Sequence, residues 1–434
     1  MGTSEPDGQH DLIIIGGGIG GIISLKYAKD VGLDAILLEK GDAVGGLWRD
    51  LPAWQDLQIR KEDWTLGDLP IAGEDQASVL ANIREWVERF ELAPSIRLHA
   101  RVSSARPGDG GWRVSADGYT GRSRFLIAAT GGHNRAVVPQ IDRALSTLTE
   151  YHSSALRDPS ELADKDVVVV GGGASAYDLL DLCFEREARS VTWVYRSLKW
   201  MLPSLRPKYY ATNLRALARM QMLGTSVATM NERVNLDLRA RYKKAGLDDL
   251  TPDEPIDLRH QMLIPGRRRM VRNVGHIMRH RGEIVRIEGN TVRLSTEQSC
   301  RADLVLWGTG YDTDLSYLEA GDLSRLTRLE AIGRRCGAYF LALDAPNLFI
   351  LAPGILETIT STPWAYAHAA RSIMSHIRGT PVFNSVPIDS NANYFDLVRF
   401  LAKHDRVNFP RVWWYLKYLN LALRHPAARP MPIP

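Results

Sequence analysis

Two glycine-rich stretches carry the clearest chemistry in this chain. "DLIIIGGGIGGIISLKYA" covers residues 11–28, and "VVVVGGGASAYDLL" covers residues 167–180. In each, an apolar run of strand character stops at three glycines and a helix-like stretch begins. Such a turn suits a dinucleotide. The first glycine makes the tight turn, the second lets backbone approach a pyrophosphate, and the third lets the helix pack on the strand with its N–H groups facing the phosphates. Gly16, Gly18 and Gly21 hold these places in the first loop, and Gly171, Gly173 and Ala176 in the second. The strands that follow differ. "AILLEK" ends near Glu39, a carboxylate able to bind two ribose hydroxyls. "VTWVYRS" offers no acid but Arg196, whose guanidinium binds a 2′-phosphate that a carboxylate would repel. The pair therefore reads as one site for FAD and one for NADPH, placed so that a hydride passes from nicotinamide to flavin.

The elements that must hold these loops are legible as apolar runs. "LIII" and "DAILLEK" read as strands of a parallel sheet buried on both faces, and "RFLIAATGGHN" adds a third ending near Gly131. Residues 79–93 have helical spacing. "ADLVLWGTGYD" at 302–312 and "NLFILAPG" at 347–354 read as further strands ending in glycine turns. The expected fold is α/β, with two Rossmann-like dinucleotide-binding domains, the NADP domain inserted into the FAD domain. Residues 1–150 form the first part of the FAD domain, 151–324 the NADP domain with a basic helical insertion near 199–282, and 325–434 the rest of the FAD domain with a helical tail.

Composition narrows the rest. The chain has 434 residues, 45% hydrophobic and 24% charged, with a formal net charge of +4, too weakly basic to argue for nucleic acid by itself. No apolar stretch reaches the roughly 18 residues of a membrane span, and the polar N-terminus lacks a signal pattern, so a cytoplasmic protein is expected. Cys183, Cys300 and Cys336 form no CxxC, which argues against a redox-active dithiol and against a zinc knuckle; no metal site is expected. The flavin must then pass its electrons to oxygen, a quinone or a partner protein.

Several short motifs together resemble the flavin-containing monooxygenases, over about residues 11–355. "EKGDAVGGLW" at 39–48 is similar to the FAD-holding stretch with its Gly-Gly-x-Trp signature, and "GGGASAYD" at 171–178 to the NADP loop. "ATGG" at 129–132 and "GTGYD" at 308–312 resemble the two interdomain strand ends, and "YHSS" at 151–154 the His-Ser core of the family fingerprint. The resemblance implies an enzyme in which NADPH reduces FAD, O2 adds at flavin C4a, and the resulting hydroperoxide oxygenates a small-molecule nitrogen, sulfur or carbon. It extends the cofactor-binding set to Gly17, Ile19, Gly20, Gly46, Leu47, Trp48, Val102, Ser175 and Asp178. Where many members place an asparagine near the flavin, this chain has Gln58 and Arg60, the candidate catalytic groups. The fingerprint departs too: Ser146 and Leu148 stand where Phe and Gly are expected, and Leu156 where an aromatic is expected.

Two other classes share these cofactors: a single-component flavin-dependent halogenase, and an NADPH-flavin reductase passing electrons to a partner or to oxygen. The arginines at 267–269, 272, 279 and 281 read as a solvated face or a rim for the NADPH phosphate, since no aromatics interleave them as a nucleic-acid platform would. The aromatic, basic tail "RVWWYLKYLNLALRH" reads as a helix capping the active site or a partner subunit, as in a homodimer, in preference to a membrane-surface contact.

Overall fold

The computed structural model describes residues 8–58, 61, 64, 66, 69–203, 226–257, 261, 263–336, 340–352 and 363–379. Two sheets organise it. The first has seven strands. β1 (Gly8–Ile15) lies at its centre, parallel to β2 (Ala35–Leu38) on one side and to β6 (Tyr119–Ala128) on the other, with β3 (Ile96–Arg97) at the edge beyond β2. Antiparallel β5 (Gly111–Ala116) pairs with the first half of β6 and then with β4 (Val102–Gly108). Leu12, Ile13 and Ile14 are fully buried, as strands covered on both faces require.

The second sheet is all parallel. Its order is β11 (Ile277–Arg281), β10 (Ser190–Tyr195), β9 (Asp166–Val170), β15 (Leu304–Trp307) and β8 (Thr149–His152). The chain then returns to the first sheet through β17 (Leu348–Ile350), which pairs parallel with the second half of β6. Between the sheets runs a two-stranded ribbon of β7 (Arg135–Ala136) and β16 (Tyr311–Asp312). A small antiparallel sheet of β12 (Ile284–Glu288), β13 (Thr291–Leu294) and β14 (Ser299–Arg301) packs beside the second sheet.

Helices α1 (Ile19–Asp30) and α4 (Ala174–Glu185) follow the two glycine loops, and α2 (Leu47–Asp50) is a single turn. α3 (Gln76–Arg89) starts three residues before the apolar spacing does, because the Asp75 side chain caps it by accepting from the Ser78 N–H at 2.9 Å. The basic region contributes α5 (Val227–Lys244) and α6 (Arg268–Arg272), and it also supplies strand β11, so it is not wholly helical. α7 (Leu329–Gly333) and α8 (Pro363–Ile377) complete the described helices, and α8 packs along α1. The aromatic tail lies outside the described residues.

Candidate functional site: two glycine cradles

The two loops share a backbone solution. Gly16 has φ +109°, and a Cβ there would stand 2.5 Å from the Ala129 carbonyl oxygen at the end of β6. Gly171 has φ +126°, and its Cβ would stand 2.2 Å from the Gly308 carbonyl oxygen just beyond β15. Only glycine can make either turn. The second glycine of each loop is open. A Cβ on Gly173 meets nothing within 4 Å, and one on Gly18 meets only the Gly46 Cα at 3.6 Å. Both residues are N-caps without a side-chain cap, so the helix N–H groups face that open space. The residues therefore fit a pyrophosphate at each loop.

The other loop residues face the protein. A Cβ on Gly21 would lie 1.9 Å from the Gly16 carbonyl oxygen, and one on Gly20 would press on Tyr366 and Leu351. Ala176 takes the corresponding close-packed place in the second loop, and it is Gly308 that yields: a Cβ there would stand 2.7 Å from the Ala176 Cα. Gly20 and Gly21 are closely packed, and Ile19 and Ser175 are half-buried in the first turns of their helices.

Around the first loop, Glu39 is buried, and its carboxylate accepts from the Gly17 N–H at 2.5 Å and the Gly41 N–H at 2.7 Å. The Ala100 N–H donates to the Glu39 carbonyl, which brings the strand opening at Val102 alongside. The Gly-Gly-x-Trp turn is pinned on the same loop. Gly45 N–H donates to the Gly17 carbonyl at 2.9 Å, and Gly46, at φ +55°, leaves only 2.7 Å between a would-be Cβ and the Gly18 Cα. Leu47 is exposed at the start of α2, and Trp48 meets Trp64 edge to face at 5.9 Å. Gln76 donates to the carbonyls of Trp48 and Leu51, holding α2 to α3.

Around the second loop, Trp193 Nε1 donates to the Gly171 carbonyl at 2.7 Å, and Lys199 N–H to the Gly172 carbonyl at 2.8 Å. Arg196 stands just after β10 with an exposed side chain, 3.1 Å from Glu283. Asp178 is hydrogen-bonded within the protein. Its Oδ1 accepts from Arg267 Nε at 2.5 Å and its Oδ2 from Gln58 Nε2 at 3.0 Å. Burial pushes its carboxyl up while the Arg267 charge pulls it down, and burial prevails. The Gln58 bond ties α4 to the segment that follows α2. Gln58 points at α4, and Arg60 lies outside the described residues.

Sequence reasoning missed Trp54 and Arg157, which join the two regions. Trp54 Nε1 donates to the Leu156 carbonyl at 2.7 Å. Arg157 donates to the carbonyls of Leu51 and Asp50. His152 donates through Nε2 to the Gly310 carbonyl at 3.0 Å and accepts at Nδ1 from the Ser154 N–H, so its ring is neutral and structural. Other members of the basic cluster are paired: Arg269 with Asp181 and Glu185, Arg279 with Asp249, Arg281 with Asp253. The three cysteines are free thiols, and burial pushes Cys183 and Cys336 up to about 12. Among the described residues no group of three or more His, Cys, Asp or Glu could hold a metal, and no helix is long and apolar enough to cross a membrane.

Residues 13–244, more than half of the chain, match the pyridine nucleotide-disulphide oxidoreductase family, and the chain belongs to it. The indole-3-pyruvate monooxygenase YUCCA6 of Arabidopsis thaliana is 26% identical over 39% of this chain and 44% of its own. Flavin-containing monooxygenase 5 of Cavia porcellus is 24% identical over 71% of this chain and 63% of its own. The chain thus spans about half the length of the curated relatives it matches. Among solved structures, an oxidized steroid monooxygenase bound to NADP superposes with a TM-score of 0.64 at 18% identity, covering 96% of this chain and 98% of that one. OTEMO in complex with FAD and NADP gives 0.65 at 17%, covering 87% and 85%. The two-sheet α/β fold is therefore shared with these structures, and the chain is similar in sequence to a flavin-containing monooxygenase, as its motifs led one to expect.

Proposed function

We propose that this chain is an NADPH-dependent, FAD-containing monooxygenase that oxygenates a small-molecule nucleophile with O2. The observation that carries the reading is the pair of open glycine cradles, one flanked by a buried acid and the other by an exposed arginine. FAD belongs in the first cradle and NADPH in the second. Bound flavin supplies hydride acceptance and oxygen activation. The chain's own residues do the rest. Gly18 and Gly173 admit the pyrophosphates, Glu39 takes the flavin-side ribose and Arg196 the 2′-phosphate. Residues 51–58, with Gln58 at their end, bring polar groups between the cradles. The family name mentions disulphides, yet Cys183 and Cys336 are buried and strongly disfavour the thiolate, so this chain offers no dithiol to reduce.

The test incubates holoenzyme, NADPH and O2 with amines, sulfides, ketones and indoles, following product mass and hydrogen peroxide together. A product heavier by one oxygen atom, formed with NADPH consumption, is expected. Peroxide alone with every substrate points to a reductase, and a product that requires added halide points to a halogenase; either defeats the proposal.

A further inference from the structure

A largely buried charge cluster joins the two cradles. Asp178 sits on α4, one turn in from the second glycine loop, and Arg267 sits just before α6. Their side chains are 19% and 13% exposed, too little for water to replace either partner. Gln58 comes from the other region, at the end of the segment that begins with α2 pinned on the first loop. An ionised carboxylate only accepts hydrogen bonds, so the Gln58 nitrogen must face Asp178. Because the amide is planar, its oxygen then points away from α4.

We propose that Asp178, paired with Arg267, is a positioning residue. It fixes the Gln58 carboxamide with nitrogen toward α4 and oxygen toward the space between the cradles, where that oxygen accepts from an N–H donor of the bound flavin nucleotide. The proposal rests on the two nucleotides occupying the cradles as above. It also explains why a carboxylate near a dinucleotide loop does not repel the phosphates: its charge is cancelled by Arg267 at 2.5 Å.

The experiment is a double-mutant cycle in the full-length holoenzyme, read as peroxide released per NADPH consumed. Gln58→Ala and Asp178→Asn should each raise that ratio about ten-fold, and the double variant should be no worse than either, as for residues acting through one contact. Asn at 178 lets the Gln58 amide turn over, since an amide both donates and accepts. NADP+ affinity should change by less than about three-fold in Asp178→Asn, whereas a direct ligand would lose roughly ten-fold or more. A merely structural role predicts additive effects and a lowered melting temperature in every background. Hydrogen exchange of residues 54–58 gives a readout apart from turnover: Asp178→Asn should raise it, with α4 unchanged. Should Asp178→Asn not fold, Asp178→Asn/Arg267→Gln removes both charges and is measured in its place. Wild-type coupling in Asp178→Asn, additive effects, unchanged exchange at 54–58, or a large loss of NADP+ affinity overturns the proposal. If wild-type protein makes no oxygenated product at all, the monooxygenase reading fails, while exchange and NADP+ affinity still judge the tie.

Discussion

In the first glycine loop the acid beyond the neighbouring strand is turned inward; in the second, the base at the corresponding place is turned outward. Glu39 is 7% exposed and already accepts two backbone N–H groups of its own region. The Arg196 side chain is 76% exposed and, among the described residues, pairs with a surface carboxylate, Glu283. A cradle locked by its own hydrogen bonds before the ligand arrives loses little freedom on binding, which suits a nucleotide held permanently. A cradle whose charged arm stays in water suits a coenzyme that enters and leaves. The turns are otherwise alike, so the difference lies in side chains beyond them.

The largest expected effects come from filling the glycines, and they separate packing from binding. We predict that Gly21→Ala destabilises the whole first region, because the added carbon would stand 1.9 Å from a backbone oxygen that cannot move aside. Gly18→Val meets no such obstacle, so the protein should stay folded and soluble with flavin content below about a tenth of wild type, a loss of at least ~1.4 kcal/mol. Gly173→Val should keep its flavin and lose NADPH binding instead. Absorbance at the flavin band against protein content, melting curves and NADPH titration together decide all three. A fully yellow Gly18→Val would mean that the first loop is not the flavin site.

How much of this was readable follows from how local each feature is. The strand-glycine-helix units are written in consecutive residues, and β1, β9 and β10 appear where apolar runs predicted them. The antiparallel strands β4 and β5 and the small sheet β12–β14 offer no continuous apolar run: β4 buries one residue and β14 none, and Arg106, Arg113, Arg286, Arg293 and Arg301 interrupt them. The ties between regions were invisible for another reason. Arg267 and Asp178 are 89 residues apart, and Trp54 and Leu156 are 102 apart, so no local pattern links them. Asp178 was noticed as part of a motif, but its partners could come only from the fold.

The second prediction sharpens the contrast at the strand ends. Arg196→Ala should raise KM for NADPH roughly ten-fold while leaving NADH nearly unchanged, the low end for a charge-assisted contact because the side chain is so exposed. Glu283 competes with the phosphate for the same guanidinium. Glu283→Gln should therefore lower KM for NADPH about two- to three-fold and do nothing in the Arg196→Ala background. Equal changes with both coenzymes would remove Arg196 from the phosphate site.

The smallest effect concerns the ribbon both regions share. His152 ends β8 and reaches across to the Gly310 carbonyl, while its Nδ1 accepts from Ser154 N–H. Burial holds its pKa below the ordinary 6.5, with the Gly310 carbonyl opposing that shift more weakly. A histidine kept neutral in the fold but free to protonate when unfolded contributes stability that is present above pH ~6.5 and lost as pH falls below it, since the unfolded chain then binds the extra proton. The melting temperature should thus decline between about pH 6.5 and 5, above the range where carboxylates such as Asp166, lowered by Arg189, begin to protonate. His152→Gln keeps a donor and an acceptor but cannot titrate, so its decline over that window should be shallower by a few degrees, at about 2–4 °C per kcal/mol for regions of this size. Because other histidines remain in both proteins, the difference between the two slopes belongs to residue 152. Parallel slopes would mean that His152 is not the neutral, acceptor-bearing ring this geometry requires.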